Sequence, residues 1–319
     1  MCIRDSSYVF GQKSYNGVAI ISKKKLENVS TDIIKDKLKQ ARNISSVLSE
    51  GLPYIQKFKG KIIVVKYGGG AMSDQSLKRN FAKDIALMNL VGMKPVIVHG
   101  GGPQIAKELK KSGITSSFIS GHRVTDKSTM SVVKKILGTK INHEIVNLIK
   151  QSGGDAISFN HIKHKIIKAS QHAGKDKNNL GLVGKVDRIL VSELKKNISR
   201  GTIPVIAPIG VTKEGAFLNI NADVVAGKVA ESLKAEKLIL LTDIKGIIEK
   251  KKVISRISAY KGRQLINNNT IQGGMTPKVT AALEAKKNGV RSCHIIDGRL
   301  PHAVLLEVLT AEGVGTMIS

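Results

Sequence analysis

Ile62-Ile63-Val64-Val65-Lys66-Tyr67-Gly68-Gly69-Gly70 is the stretch on which the reading of the fold turns. Four consecutive β-branched residues read as a buried strand, and the lysine and three glycines after them read as the turn at its carboxyl end. Working outward, further buried-strand runs occur at 96–98, 203–207, 238–241 and 294–296. Between them, helical spacing is marked by Phe81, Ile85 and Met88, and by the segments 132–137, 141–149, 224–233 and 279–287. Continuous apolar strands alternating with helices predict an α/β fold whose mainly parallel sheet is covered on both faces. Residues 155–169 read as a hairpin, which would make the sheet mixed.

Composition narrows the class. The 319 residues are 41% hydrophobic but only 3% aromatic, with no Trp, so the core must rest on Ile, Leu, Val and Ala. No apolar run approaches the roughly 18–20 residues of a membrane span. The opening Met1-Cys2-Ile3-Arg4-Asp5 puts charge where a secretory signal needs an apolar stretch, and Cys2 and Cys293 are too few for a disulfide framework or thiolate metal site. A cytoplasmic protein is expected. The 52 basic and 24 acidic residues give a net charge of +28. The lysines are spread along the chain, with short runs at 23–25 and 250–252, and no aromatic signature for base stacking accompanies them. A solvated basic surface that attracts phosphate-bearing substrates is expected, without nucleic acid as main partner. Residues 1–30 show no period and read as a loose tail. From Asp32, the spacing of Ile34, Leu38, Ala41, Ile44 and Leu48 predicts a helix that Gly51-Leu52-Pro53 breaks. Gly153-Gly154 and 171–179 read as loops.

Ligands of open α/β sheets gather at the carboxyl ends of the strands, and four features fall there. Lys66 precedes Gly68, Gly69 and Gly70, where backbone N–H groups can approach an anion. His99-Gly100-Gly101-Gly102-Pro103 feeds a helix carrying Ile105 and Leu109, which suits a carboxylate or phosphate. Asn219-Ile220-Asn221-Ala222-Asp223 opens the helix over 224–233, and two amides with a carboxylate exceed what a helix cap requires. Gly273-Gly274-Met275-Thr276-Pro277-Lys278 brings a lysine into a first helical turn, where the helix dipole disfavours it unless an anion is near. Each is also open to a plain reading as turn, cap or surface lysine. Two nucleotide motifs are excluded. A Walker A loop ending at Gly184-Lys185 or Gly227-Lys228 would need glycine at Asn179 or Ala222, and a dinucleotide fingerprint from Gly100 would need glycine or alanine at Ile105.

Taken in order from Asp32 to Ser319, these strings resemble the amino-acid-kinase family. Two more strings join them, Gly121-His122-Arg123-Val124-Thr125-Asp126 and Leu241-Thr242-Asp243-Ile244-Lys245-Gly246, and the former favours the branch acting on N-acetyl-L-glutamate. The resemblance implies a three-layer αβα sandwich, with 58–235 binding the acid and 236–319 binding ATP. Lys66 and Lys278 would then stabilise the transferring phosphoryl group, with Asp223 holding both ammonium groups. Gly101, Gly102, Arg123 and Asn219 would bind the acid. Gly68, Gly69, Asp243, Ile244, Lys245, Gly246, Ile247, Ile248, Thr270, Ile271 and Gln272 would line the ATP site, with Mg²⁺ carried by ATP and no metal ligand from the protein. The acceptor would be a carboxylate, ionised at neutral pH with a pKa near ~4.3, so no general base is required. The family's glycine-rich turn in its lid hairpin is missing at Ser158-Phe159-Asn160-His161. His161, His164 and His172 lack a carboxylate or thiolate partner for a metal and read as a solvated loop.

The chain ends resemble arginine-inhibited members of the family. The helix within 31–57 would be an oligomerisation arm, giving a hexamer built as a trimer of dimers, or a dimer without it. In the tail, Glu307 and Gly313 would form an L-arginine site. Two rivals remain: a sister kinase for an aminoadipate derivative or another acid, and a catalytically idle basic regulator.

Overall fold

The computed structural model describes residues 6–11, 17–22, 33–72, 74–119, 121–172, 180–249, 252–311 and 313–319. The basic run 23–25, Asp32, Lys250, Lys251 and most of the 171–179 loop lie outside them. Two compact units are present, 1–52 and 53–319. In the first, Ser6–Gly11 pairs antiparallel with Gly17–Ser22, a ladder within a stretch read as a tail. Helix Ile33–Phe58 contains Pro53, so Gly51-Leu52-Pro53 does not break it. Proline's fixed φ is compatible with a helix; it removes one N–H and crowds the preceding turn without obliging the helix to end.

The second unit is organised by an eight-stranded sheet. Its order is Arg256–Ile257, Gly315–Ile318, Ser292–Asp297, Lys237–Thr242, Ile62–Tyr67, Lys94–His99, Ile203–Ile206, Ala156–Phe159. Every neighbouring pair is parallel except Ser292–Asp297 with Gly315–Ile318. The expected mixed sheet is present, with its antiparallel step near one edge. All five apolar runs read from the sequence are strands of it.

Alternation along the strands builds the three layers. Val64, Val96, Val98, Leu238 and Leu240 enter one buried cluster with Val225 and Val229 of helix Ala222–Leu233 and Val279 and Leu283 of helix Met275–Lys287. Ile63, Val65, Ile97, Ile239 and Leu241 enter another, with Phe81 and Ile85 of helix Gln75–Leu90 and Ile145 and Ile149 of helix Asn142–Gln151. The parity fixes the site in advance. Lys66 is in phase with Val64, so it points toward helices Ala222–Leu233 and Met275–Lys287. His99 is in phase with Ile97, so it points toward the other layer.

The hairpin expected over 155–169 is displaced. Ala156–Phe159 is the parallel edge strand beside Ile203–Ile206, and the hairpin is Ile167–Gln171 with Gly184–Ile189. It belongs to a separate four-stranded sheet with Ile209–Val211 and Phe217–Asn219. His161 is buried rather than solvated, its ring edge-on to Phe217 at 5.1 Å. Its room comes from Gly138, where a Cβ would stand 2.2 Å from the His161 Nδ1. His164 pairs with Glu193 at 2.7 Å, and His172 meets His122 edge-on at 4.9 Å. No group of three or more metal-ligating side chains occurs among the described residues, nor any helix long and apolar enough to cross a membrane.

Candidate active site

Chain connections leave strands Ile62–Tyr67 and Lys237–Thr242 in opposite directions across the sheet, which opens a crevice at their carboxyl ends. Lys66 stands there, 6% exposed. Asn221 caps helix Ala222–Leu233, its side chain accepting from the N–H of Asp223 at 2.8 Å and of Val224 at 3.4 Å. Because Asn221 satisfies the helix end, Asp223 in the first turn is free to turn outward. Its carboxylate lies between two lysines, with Lys66 Nζ 3.1 Å from Oδ1 and Lys278 Nζ 2.8 Å from Oδ2. Three residues far apart in sequence thus meet as predicted.

The cluster carries one positive charge in excess. Burial alone would raise the pKa of Asp223, but the ammonium groups of Lys66 and Lys278 outweigh it and hold the carboxyl below its ordinary value. Burial lowers the pKa of Lys66; Asp223 opposes that shift and Lys278 adds to it. Lys66 contacts Oδ1 as an ion pair outside hydrogen-bonding alignment, so this buried oxygen has no hydrogen-bond partner among the described residues. A carboxylate clamped in this way cannot serve as a general base. It holds two cations at a set spacing beside an open cavity.

That cavity is lined by Lys66, Gly69, Gly100, Gly101, Gly102, Phe118, His122, Arg123, Asn219 and Asp223, among others. The predicted acid-binding residues are therefore together. Arg123 is 7% exposed; it donates to Ser116 Oγ and to the Gly102 carbonyl at 3.1 Å, and its guanidinium lies 4.5 Å from the Phe118 ring centre. Asn219 donates to Thr125 Oγ1 at 3.2 Å, and Thr125 donates to the Arg123 carbonyl at 2.7 Å. Sequence reading missed Phe118 and Ser116, which lie just before a named motif, and gave no role to Thr125 within it; nothing in their spacing announces a ligand.

A second concavity is lined by Ile244, Gly246, Ile247, Ile248, Asn269, Thr270, Ile271, Gln272 and Met275. It joins two segments predicted to bind nucleotide. Asp243 stands apart, accepting from the Gly70 N–H, and Lys245 does not line the concavity. Gly69, at φ +66°, could carry no side chain, since a Cβ would sit 2.4 Å from Asp243 Oδ1. Gly68 is less constrained: a Cβ there would stand 3.1 Å from the Lys66 Nζ, a tight contact that a small shift of the lysine would relieve. Glu307 and Gly313 are not part of either concavity. Glu307 accepts from the Val314 N–H at 2.8 Å and lies 2.5 Å from His294 Nδ1.

Two lysines sharing one carboxylate, flanked by glycine turns and an anion-sized cavity, define an apparatus for moving a phosphoryl group. The sequence profile of the amino acid kinase family matches residues 61–297, and the chain belongs to that family of kinases. Among curated proteins, it is 52% identical over 290 residues to the acetylglutamate kinase of Hydrogenovibrio crunogenus, covering 88% of this chain and 97% of that one. It is 53% identical over 279 residues to the acetylglutamate kinase of Nitrosomonas eutropha, covering 85% and 95%. Among solved structures, it resembles N-acetylglutamate synthase from Neisseria gonorrhoeae at a TM-score of 0.79 and 24% identity, a likeness of fold. That match covers 86% of this chain and 63% of the synthase chain.

Proposed function

We propose that the protein is an acetylglutamate kinase, transferring the γ-phosphoryl group of ATP to the side-chain carboxylate of N-acetyl-L-glutamate. The observation that carries this reading is the Lys66–Asp223–Lys278 cluster beside a cavity holding Arg123 and Asn219. Relatives matching almost end to end at 52–53% identity bear the same name. Arg123 would take the α-carboxylate and Asn219 would donate to the acid, leaving the side-chain carboxylate to face Lys66. Residues 58–235 would hold the acid and 236–319 the nucleotide, with the concavity around Gly246 and Ile271 receiving ATP.

The mechanism follows from charge. An ionised carboxylate attacks directly, so the chain's residues need to align it and to compensate charge on the phosphoryl oxygens. Lys66 and Lys278 do this from fixed positions, because Asp223 holds the two mutually repelling ammonium groups from moving apart. Glycine-turn N–H groups add fixed dipoles. Mg²⁺ carried on ATP would neutralise phosphate charge. The lysines fit that division of labour, since the one carboxylate between them is already clamped.

The site would operate in a cytoplasmic homo-oligomer, with residues 31–57 as an assembly arm giving a hexamer or, without it, a dimer. L-Arginine would inhibit through Glu307 and Gly313; the support is a buried carboxylate of the right charge for a guanidinium. Light scattering during an arginine titration tests both, and an arginine-insensitive dimer would remove them. The activity itself is tested by ADP release with N-acetylglutamate, N-acetyl-aminoadipate, glutamate and aspartate. Preference for N-acetylglutamate by tenfold or more in kcat/KM is expected, since one methylene is worth about 1–3 kcal/mol. Preference for the aminoadipate derivative would assign a sister kinase, and no turnover with any acid would leave a basic regulator.

A further inference from the structure

The cavity's glycine turn is held from behind by a network that the phosphoryl-transfer scheme above does not use. All three carbonyls of Gly100, Gly101 and Gly102 are tied back to protein. Gly100 O lies 2.9 Å from His99 Nδ1, Gly101 O accepts from the Ile105 N–H at 2.9 Å, and Gly102 O accepts from Arg123 at 3.1 Å. A trans peptide holds its C=O and N–H antiparallel, and no cis bond occurs among the described residues. Drawing Gly100 O toward His99 therefore turns the Gly101 N–H the opposite way, on the side where Gly100, Gly101 and Gly102 line the cavity. That N–H has no acceptor among the described residues.

Such a constraint is needed here. The Gly100–Gly101 peptide is flanked on both sides by residues without a Cβ, so little in the chain itself stops it from rotating. A flipped peptide would present a carbonyl oxygen to the incoming anion. His99 is fully buried at the end of strand Lys94–His99, on the sheet face opposite Lys66. Its ring orientation is set by Asn142, whose amide nitrogen donates to Val205 O at 2.9 Å and lies 3.2 Å from His99 Nε2. The carbonyl of Val205 can only accept, so the nitrogen of Asn142 must face it. His99 Nε2 then accepts from that nitrogen, and the ring proton resides on Nδ1, facing Gly100 O.

We propose that His99 is a positioning residue for phosphoryl transfer: as the Nδ1–H tautomer selected by Asn142, it locks the Gly100–Gly101 peptide so that the Gly101 N–H donates to the reacting oxyanion. The proposal rests on the kinase reading above. His99 does not exchange a proton with substrate. Burial pushes its pKa down to about 4, so it stays neutral across the working range and acts as a fixed donor.

Two measurements test this. In the wild-type protein labelled with ¹⁵N-histidine, the His99 ring nitrogens are expected to show a neutral Nδ1–H tautomer unchanged from pH 5 to 8. An Nε2–H tautomer, or titration within that range, overturns the proposal without any variant or activity assay. The second compares His99→Leu, which removes the donor, with His99→Asn, whose amide nitrogen can occupy the place of Nδ1. Leucine is expected to lower kcat by about 10²-fold with both KM values within about threefold, and asparagine to recover about tenfold of that loss. A folded leucine variant with near wild-type kcat, or two folded variants equally impaired, overturns it. If the leucine variant does not fold, the tautomer measurement decides. A wild-type protein that transfers no phosphoryl group would overturn the kinase reading itself, while the tautomer is read independently.

Discussion

The sheet carries two buried charge clusters, and they solve opposite problems. At the carboxyl ends of the strands, one carboxylate, Asp223, is shared by Lys66 and Lys278 beside an open cavity. Lower on the sheet, Lys237 at the start of its strand meets His294 Nε2 at 3.0 Å, and His294 Nδ1 faces Glu307. Lysine can only donate, so His294 accepts from it and passes its own proton toward Glu307. Burial lowers the pKa of His294, which agrees with a neutral ring. The second cluster balances one cation against one anion through a neutral relay, and both Glu307 oxygens have partners. The first leaves a positive charge uncompensated. Excess charge at a cavity marks where an anion is to bind, whereas a balanced cluster serves the fold.

The largest effect that could break this contrast is catalytic. Lys66→Ala or Lys278→Ala should each lower kcat by about 10²–10⁴-fold while the protein remains folded, because the lost charge acts on the transferring group. Near-normal turnover in a folded variant would strike that lysine from the mechanism. Lys237→Met should do the reverse, costing about 3 kcal/mol of stability by leaving a buried carboxylate undercompensated. Its kcat should stay close to wild type; a strong loss there would merge the two clusters into one functional unit.

A third buried carboxylate sharpens the comparison through pH. Asp84 is 1% exposed, lies 2.6 Å from His302 Nδ1, and accepts from the N–H groups of Val304 and Leu305. Burial, only partly offset by His302, pushes its pKa up to about 6. A raised carboxyl pKa means that the native state holds its proton more tightly than the unfolded chain. The stability it contributes is present below about pH 4 and is lost as pH rises to about 6. Asp84→Asn keeps an acceptor for the helix and removes the charge. Its stability relative to wild type should therefore climb by about 2 kcal/mol between pH 4 and pH 7. A flat difference in denaturation midpoints would show that Asp84 carries no such penalty. Smallest of all, Asn221→Ala should cost about 1 kcal/mol, the loss of one helix cap. If kcat drops far more than stability does, the cap also aims Asp223.

Much of this was legible in advance because it is local. A β-branched run buried on both faces, such as Ile62–Val65, and a glycine turn at its end need no knowledge of the rest of the chain. Lys278 could be flagged as a lysine out of place at a helix start, and Asp223 as a carboxylate beyond what a cap there requires. Their meeting with Lys66 could not, because it depends on strand order and on which face of the sheet position 66 occupies. The separate sheet containing Ile167–Gln171 and Phe217–Asn219 escaped because strands of three to six residues with mixed polarity leave no clear period. Helices Ser192–Ser199 and Ala259–Asn267 are likewise too short to declare themselves. His161 was misread for another reason: histidines in a polar stretch look solvated, and only the gap at Gly138 shows where this one goes.

The most direct test of the two-lysine site is whether its product is an acyl phosphate. Wild-type protein incubated with ATP, Mg²⁺, N-acetyl-L-glutamate and hydroxylamine should yield the acyl hydroxamate in step with ADP, and Lys66→Ala should yield almost none. ADP release without hydroxamate would mean that the acceptor is not a carboxylate, and the account of an ionised acceptor held between Arg123 and Lys66 would be wrong.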